Sequence, residues 1–481
     1  MKELCLRALN IAKEKGVSFA DIRIVKHHTQ IVTTEDERVS GIQDSESMGF
    51  GVRVLLNGCW GFAASKNLFR KEIEAVTLKA VEIARASSLA KMGSGVVFAP
   101  EEPHEAIFRT PVLKDPFKVP IEEKVNLLLG VNKEMLRVRG VKKAHSFMWF
   151  KSEERHLANT DGSFIESNTC TSTAECIATA VDEHTAKTRY FEAIPVNAGY
   201  EHIEGTPLLK EAQRVGEEAV AHLTAKECPQ GKKDLILHPS HLALTIHESI
   251  GHALELDRVL GMEESLAGSS FATIDKLGKL KYGSPIVNIV CDNTDPTRLA
   301  SKGYDDDGVP GQRWYIIKNG ILVDYQTGRE VCHTIGTEQS RGSCRADSWQ
   351  SIPIIRQSNI GLEPGEEPLT LEELIADTKD GIYIEGMGSF SIDQKRLNFQ
   401  FGGDCFWEIK NGKKTCMLKD VTYQAITTDF WGSCDAICDK RFWQPYGVLN
   451  CGKGDPMQIA QMTHGSSPVR FRNINVGGAK L

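Results

Sequence analysis

The segment TIHESIGHALEL, at residues 245–256, contains two histidines and a glutamate, the residue types of a zinc site that hydrolyses amide bonds. Zinc peptidases often carry His-Glu-x-x-His on a helix, with the histidines four residues apart. Here His252 follows His247 by five residues. Side chains at that spacing lie about 140° apart around a regular α-helix, so they would not face one metal ion. A π-type turn with i→i+5 hydrogen bonds would return them to one face. We therefore predict a locally widened helix, with Gly251 supplying backbone freedom.

Zinc chemistry assigns a role to each of these side chains. His247 and His252 would supply two metal ligands, and Glu248, beside the metal but not bound to it, would act as general base. Catalytic zinc takes three protein ligands. By residue type alone the third ligand is open. Its candidates are Glu255, His333, His464 and several cysteines. The opposing interpretation is that two of the 14 histidines simply lie in a core helix.

Composition excludes some classes of function. The chain has 481 residues, 41% of them hydrophobic and 25% charged, which is typical of a soluble globular protein of several domains. A net charge of −7 with interleaved signs argues against a nucleic-acid partner, which would favour a basic face. No secretory signal precedes the first helix and no apolar run approaches the ~20 residues of a membrane span, so we expect a cytoplasmic protein without a membrane partner. The 13 cysteines are therefore expected as reduced thiols.

The pattern of elements predicts an α+β fold in two domains. Residues 1–227 run in the order helix, strands, helices, strands, helix, which predicts an N-terminal α+β domain rather than a strictly alternating parallel sheet. The segment CPQGKKD (228–234) is expected as a linker, because it combines Pro, Gly and charge. Residues 228–481 are expected as a β-rich metallopeptidase domain carrying one active-site helix. Turn signals that support the strand assignments are Asn57-Gly58, Asp161-Gly162, Asn319-Gly320 and Asn411-Gly412.

The histidine segment resembles the active-site helix of the TldD/PmbA family of zinc metallopeptidases. Further segments resemble the same family in the same order, among them ERVSGIQDSESMGFGVRVLLNGCWGFAAS, GYDDDGVPGQRWYIIKNGILVDYQTGRE and RGSCRADSWQSIPIIRQSN. The resemblance implies a cysteine as third zinc ligand, from a glycine-flanked loop near the C-terminus. The matching residue is Cys451, in LNCGKGDPMQ. Its rivals in the same region are Cys405, Cys434 and Cys438.

The expected function is a zinc-dependent metallopeptidase that hydrolyses peptide bonds in peptides or unfolded protein segments. The resemblance implies one zinc per subunit, held by His247, His252 and Cys451, with Glu248 as general base. It also implies a homodimer, or a heterodimer with a related family subunit. Two alternatives stay open: a non-catalytic or peptide-binding subunit of such an assembly, and a metal-dependent amidohydrolase acting on a non-peptide amide.

Other residues of possible chemical interest have structural explanations of at least equal weight. The acidic turn Asp305–Asp307 lacks the spaced ligands of a calcium loop. Arg345 and Arg356 would either orient a substrate carboxylate or carbonyl, or form structural salt bridges. The sequence contains no Gly-x-Ser-x-Gly elbow, so a serine hydrolase is disfavoured.

Overall fold

Long antiparallel strands form the framework of the N-terminal half. The structure, a computed structural model, describes residues 1–91 and 93–477. Seven strands make one sheet, in the order β3-β2-β1-β5-β6-β4, with β7 paired to β6. These strands are β1 (Phe19–Glu35), β2 (Arg38–Leu56), β3 (Cys59–Ser65), β4 (Glu105–Arg109), β5 (Val141–Asn159), β6 (Phe164–Val181) and β7 (Ala186–Val196).

Amphipathic helices cover this sheet. They are α1 (Lys2–Glu14), α2 (Arg70–Leu89), α3 (Ile121–Leu136), α4 (Glu201–Gly205) and α5 (Leu208–Leu223). One cluster packs apolar residues of α1 and α2, such as Leu9 and Ile73, against Ile22 and Val52 of the sheet. A second cluster packs α3 and α5 against β5 and β6. The periodic apolar positions that predicted these helices are therefore their buried faces.

The C-terminal half contains two larger sheets and a short β13-β14 pair. A six-stranded sheet has the order β12-β11-β10-β15-β24-β23, and a ten-stranded sheet has the order β17-β18-β21-β25-β9-β16-β19-β20-β8, with β22 paired to β25. The strands are β8 (Lys226–Glu227), β9 (Gly231–Leu237), β10 (Ile289–Asp292), β11 (Arg313–Lys318), β12 (Ile321–Leu322), β13 (Cys344–Arg345), β14 (Ile354–Ile355), β15 (Ile360–Leu362), β16 (Asp380–Glu385), β17 (Phe390–Ile392), β18 (Asn398–Gly402), β19 (Cys405–Lys410), β20 (Lys413–Lys419), β21 (Thr422–Ile426), β22 (Cys434–Ile437), β23 (Gln444–Lys453), β24 (Gln458–Ser466) and β25 (Val469–Val476).

One helical segment lies buried between these two sheets. The helices of this half are α6 (Pro239–Ile246), α7 (Leu256–Val259), α8 (Leu371–Ala376) and α9 (Thr427–Gly432). Helix α6 contributes Leu242 and Ile246 to a core cluster that also contains Ile289 and Ile360 of the six-stranded sheet and Phe401 of the ten-stranded sheet. Seven of the eight residues of this helix are buried, so packing fixes nearly all of its side chains.

The α+β class predicted from the sequence is confirmed, and all four predicted turns connect adjacent strands. The predicted linker at 228–234 is wrong in its second half, because β9 begins at Gly231 and pairs with β16 and β25 inside the ten-stranded sheet. Pro229 and Gly231 are residues typical of a linker. The strand nevertheless begins at Gly231, because the apolar residues that follow place this segment inside the sheet. The domain boundary at 227/228 stays a prediction, and residues 478–481 of the expected second domain lie outside the described residues.

The acidic turn joins the two halves of the chain. Asp306 lies 3.6 Å from the guanidinium of Arg23 and also pairs with Arg155. Asp307 accepts a hydrogen bond of 2.8 Å from Arg53. All five side chains are buried, and the three arginines belong to the N-terminal sheet. The turn therefore has the structural role that the sequence favoured. Within the described ranges, no helix combines the length and apolarity that crossing a membrane would require.

Candidate metal centre

The predicted π-type turn is confirmed. Helix α6 ends at Ile246, residues His247–Gly251 form a π turn, and a 3₁₀ turn follows at His252–Leu254. The amide of His252 donates to the carbonyl of His247, which is the i→i+5 bond expected of a widened turn. As a result the two imidazole rings lie against each other, with centroids 4.7 Å apart.

Side chains from surrounding loop segments donate hydrogen bonds to carbonyl groups of the widened turn. Gln357 Nε2 donates to the carbonyl of His247 at 3.2 Å, and Gln326 Nε2 donates to that of Gly251 at 2.8 Å. The hydroxyl of Tyr282 donates to the carbonyl of Ser249 at 2.5 Å. A buried carbonyl without a partner would cost about 1–3 kcal/mol, so these three donors stabilise the irregular turn.

Gly251 is needed here for space rather than for backbone freedom, which corrects the reason we gave from the sequence. Its φ of −54° and ψ of −59° are ordinary helical values. A Cβ at this position would lie 1.8 Å from Oε1 of Gln357 and 2.4 Å from its Cδ. The Gln357 side chain that supports the turn therefore occupies the volume that any larger residue would need.

We expect Gly251→Ala to lower the free energy of unfolding by about 1–3 kcal/mol, because the methyl group displaces the buried Gln357 side chain and breaks its bond to the turn. Gly205→Ala is the matched control, since a Cβ there meets nothing within 4 Å. It should change the free energy of unfolding by less than about 0.5 kcal/mol. Denaturant unfolding of the metal-free proteins measures both, because bound metal would add its own linkage energy. Equal effects of the two substitutions would contradict this account of Gly251.

Cys451 joins the two histidines. It lies on β23, just after an irregularity in the pairing of β23 with β24 between Val448 and Cys451. A bulge of this kind re-aims the following side chain. Ligand atoms of His247, His252 and Cys451 all lie within 4.8 Å of one another, and all three residues are buried. The structure thus brings Cys451, the ligand that the family resemblance implied, together with the two histidines that the sequence motif assigned to one metal ion.

The spacing of these atoms fits zinc. Cys451 Sγ lies 3.4 Å from His252 Nε2. Tetrahedral zinc with bonds of about 2.1 Å to nitrogen and 2.3 Å to sulfur separates those two ligand atoms by about 3.6 Å. Two imidazole nitrogens and one thiolate are also a donor set that zinc favours over the hard cations Mg²⁺ and Ca²⁺.

His464 orients His247. Nδ1 of His464 lies 3.3 Å from the carbonyl oxygen of Ile360, which accepts only, so that nitrogen carries the proton. Nε2 of His464 is then an acceptor, and His247 Nδ1 donates to it at 2.8 Å. Nε2 of His247 keeps a free lone pair for a metal ion. Burial, followed by the nearby charge of His247, holds the pKa of His464 well below its usual value, which keeps this ring neutral.

Glu255 orients His252 in the same way. Its Oε2 lies 2.8 Å from His252 Nδ1, and its Oε1 lies 3.2 Å from Nζ of Lys453. Burial alone would raise the pKa of Glu255, but Lys453, His252 and Arg258 outweigh it and hold the pKa well below its usual range. An ionised Glu255 therefore accepts from Nδ1 and directs Nε2 of His252 towards Cys451. Glu255 and His464, considered from the sequence as metal ligands, instead orient His252 and His247, the two candidate ligand histidines.

The electrostatic environment favours the ligand forms of these groups. Burial would raise the pKa of the Cys451 thiol, but the His252 ring and the Arg356 guanidinium lower it below its ordinary value. Burial lowers the pKa of His247. Thiolate and neutral imidazole are the forms that bind zinc.

Glu248, the expected general base, is buried in the π turn beside His247. One of its oxygens accepts a hydrogen bond of 2.6 Å from Nη1 of Arg396, which lies in the turn between β17 and β18. Sequence reasoning missed Arg396 and Gln357, because each reaches the centre from a distant segment. It also missed Lys453, which lies two residues after Cys451 on β23.

The remaining candidates lie elsewhere. His333 is exposed in the 3₁₀ turn Cys332–Ile335, and the rival cysteines are buried thiols outside the cluster. These rivals are Cys405, Cys434 and Cys438. Arg345 donates to the carbonyls of Gln357 and Gln461, and Arg356 donates to those of Cys451 and Gln458. Neither arginine pairs with an acidic side chain in the described part of the chain, so both brace the main chain around Cys451 rather than forming the salt bridges we considered.

A second group with ligand atoms close together consists of Asp305, Asp307 and Cys344. Its carboxylate oxygens already accept hydrogen bonds. Asp305 accepts from the amides of Asp307, Val309 and Cys344, and Asp307 accepts from Arg53 and the amide of Arg329. The hydrogen bonds of these carboxylates connect the acidic turn to the segments around it, so the group has a structural role.

Comparison with known proteins identifies the family of this chain. Three family models match the chain: PmbA/TldA metallopeptidase domain 1 at residues 20–84, the central domain at 114–226 and the C-terminal domain at 230–478. The last of these alone covers more than half of the chain and includes every residue of the centre. The chain belongs to the PmbA/TldD metallopeptidase family. Its membership, inferred from the sequence by resemblance, is confirmed.

Relatives of this family match along nearly the full length. A metalloprotease of Methanocaldococcus jannaschii is 31% identical over 90% of this chain and 92% of its own. A metalloprotease of Methanothermobacter thermautotrophicus is 30% identical, over 97% and 96%. A protein named zinc metalloprotease TldD homolog, from Saccharolobus solfataricus, is 25% identical, over 97% and 98%.

Solved structures share the fold at low identity. A protein of Thermotoga maritima described as a putative modulator of a DNA gyrase superposes with a TM-score of 0.79 at 18% identity, covering 99% of this chain and 100% of its own. TldE from Thermococcus kodakarensis gives 0.75 at 15% identity, covering 98% and 99%.

Proposed function

We propose that this chain is a zinc-dependent peptidase that hydrolyses peptide bonds in peptides or unfolded protein segments. It binds one zinc ion per subunit through His247, His252 and Cys451 and uses Glu248 as general base. The observation that carries the proposal is the convergence of those three ligand atoms within 4.8 Å at a π turn that also holds Glu248. The printed names of the relatives, metalloprotease and zinc metalloprotease, support the same activity and metal.

The chemistry follows from the positions of these side chains. Zinc held by such ligands supplies a Lewis acid that lowers the pKa of water to about 7. Glu248 takes the proton of the attacking water and later delivers it to the leaving amine. His464 and Glu255 fix the ring orientations of His247 and His252, so the ligands are preorganised.

The position of Cys451 supports an extended substrate. Strand β23, which carries Cys451, stands at the end of the six-stranded sheet, and no described strand pairs with its outer edge. An extended peptide would add to such an edge through main-chain hydrogen bonds. This recognition requires an unfolded segment, because folded proteins keep their strand backbones paired.

We also propose the assembly that the family resemblance implies, a homodimer or a heterodimer with a related family subunit. The cytoplasmic location stays a prediction.

Metal removal tests the activity. The purified protein should cleave a reduced, alkylated protein but leave the same protein intact when it is folded. Chelation should abolish cleavage, and about one equivalent of zinc per chain should restore it. Mass spectrometry of the digest identifies the broken bonds. Cleavage that survives chelation would contradict the proposal. Loss of only non-peptide amides would indicate an amidohydrolase, and no cleavage by the zinc-loaded chain would favour a non-catalytic subunit.

A further inference from the structure

A hairpin at the edge of the ten-stranded sheet brings a cation into the centre. Strands β17 and β18 form this hairpin, and Arg396 lies in its turn. The Arg396 side chain is only 14% exposed, and its Nη1 donates to Glu248 Oε2 at 2.6 Å. A guanidinium therefore lies against the proposed general base, in a buried site where its charge is screened little by water.

The turn that carries Arg396 is held firmly. Arg396 has a φ of +63°, a left-handed conformation that non-glycine residues adopt at a cost of about 1–3 kcal/mol when the surroundings enforce it. The Asp393 carboxylate accepts from the amides of Leu397 and Asn398, and Thr427 Oγ1 donates to the carbonyl of Arg396. Asn57 and Asn319 have similar φ values in other hairpin turns of the chain, so the conformation is that of a turn, and these hydrogen bonds hold Arg396 in one place.

The guanidinium of Arg396 has an N–H donor that is not used in a hydrogen bond to the described residues. Nε of Arg396 is buried and has no hydrogen-bond partner among the described residues, and only Nη1 is bonded to Glu248. Other buried arginines, among them Arg23 and Arg258, also have an Nε without a partner in the described part of the chain, so what points to a role for Arg396 is its position against Glu248. The unmet donor belongs to a cation that already contacts the proposed base.

Charge moves away from Glu248 during amide hydrolysis. The water oxygen bonds to the carbonyl carbon while its proton passes to Glu248, and the π electrons of the C=O bond move onto the carbonyl oxygen. Glu248 thus becomes neutral as that oxygen becomes negative. In the next step the oxygen electrons re-form the C=O bond, the C–N bond breaks and the proton goes to the amine. Arg396 is paired with the negative charge of Glu248 before the reaction. When Glu248 is protonated, the guanidinium can instead interact with the negative charge that forms on the carbonyl oxygen.

We propose that Arg396 is a catalytic residue that donates a hydrogen bond to the carbonyl oxygen as it becomes negatively charged. This inference rests on the proposed function, because it assigns a role in the same hydrolysis. In the ground state the guanidinium is neutralised by Glu248, so it contributes more to the transition state than to substrate binding. Interactions of that kind raise kcat rather than lowering KM.

The test compares Arg396→Gln, which removes the charge, with Arg396→Lys, which keeps it. Lys395→Gln is the control, because it removes a neighbouring, exposed charge of the same turn. We expect Arg396→Gln to lower kcat about 100- to 1,000-fold, the usual effect of losing one such donor. KM should change less than about threefold, and Arg396→Lys should recover part of kcat. Zinc content should match that of the wild type in both variants. Arg396→Gln should unfold at lower denaturant because Glu248 loses its charged partner, so the kinetics are measured where both variants are fully folded.

Binding measurements separate this role from a structural one. A phosphinic peptide, whose tetrahedral oxygens mimic the transition state, should lose affinity for Arg396→Gln in proportion to kcat/KM. A product peptide should keep its affinity. An unchanged kcat, an equal loss for both peptides, or a loss of zinc that accounts for the lost activity would each overturn the inference. A wild-type enzyme without zinc-dependent cleavage would instead overturn the proposed function, before any variant is made.

Discussion

Glu248→Gln is expected to lower peptide hydrolysis by about 10²- to 10⁴-fold while zinc stays bound at one ion per chain. Glutamine has nearly the shape of glutamate, and its amide oxygen still accepts from Arg396. It lacks the basicity to take a proton from water. Because Glu248 is placed beside the ligands and is not one of them, the metal site should survive the substitution. Steady-state kinetics on an unfolded substrate and elemental analysis of the same sample measure the two quantities.

Glu264→Gln controls for the removal of a carboxylate as such, since Glu264 is exposed and lies outside the centre. It should cleave at the wild-type rate. If Glu248→Gln cleaved as fast as this control, the assignment of Glu248 as general base would be wrong. If Glu248→Gln lost its zinc, the residue would be a ligand or a structural support of the site.

Cys451→Ser is expected to weaken zinc binding by more than 100-fold, because losing a residue that only supports a ligand already costs about 10- to 100-fold. Cleavage should be abolished when less than one equivalent of zinc per chain is added. A serine hydroxyl is a poor zinc ligand at neutral pH, whereas the Cys451 thiol has a lowered pKa beside His252. Competition with a chromophoric chelator measures the affinity.

Cys434→Ala is the matched control, because Cys434 is another buried thiol of the same domain and a rival in the sequence. It should bind zinc as tightly as the wild type. Loss of zinc from Cys434→Ala with retention in Cys451→Ser would transfer the third ligand to the rival.

Local elements were predictable because their signals are short. The Asn-Gly pairs at 57–58, 319–320 and 411–412 adopt the positive φ values that hairpin turns need, and each joins two adjacent strands. The π turn was predictable for a similar reason. Two histidines five residues apart face one ion only if the helix widens between them, and this argument needs no tertiary contact.

Contacts between distant segments were not predictable from the sequence. From the sequence, we explained Gly251 by the backbone freedom of glycine. In the structure, the side chain of Gln357, over a hundred residues later in the chain, leaves no space for a larger residue at this position. Arg396 reaches Glu248 from an edge hairpin, and nothing in its own segment indicates that direction. The choice of Cys451 came from family resemblance alone. Residue type had left His464 and Glu255 as equal candidates, and only the fold shows that they contact the Nδ1 atoms of His247 and His252.

Zinc K-edge X-ray absorption of the wild type and Cys451→Ser tests the central claim most directly. The proposed ligands predict one sulfur at about 2.3 Å and two imidazole nitrogens at about 2.0–2.1 Å in the wild type. The sulfur shell should vanish in Cys451→Ser when zinc is forced in at high concentration. A wild-type spectrum without sulfur, one with several sulfurs, or a sulfur shell that persists in Cys451→Ser would contradict the metal centre described here.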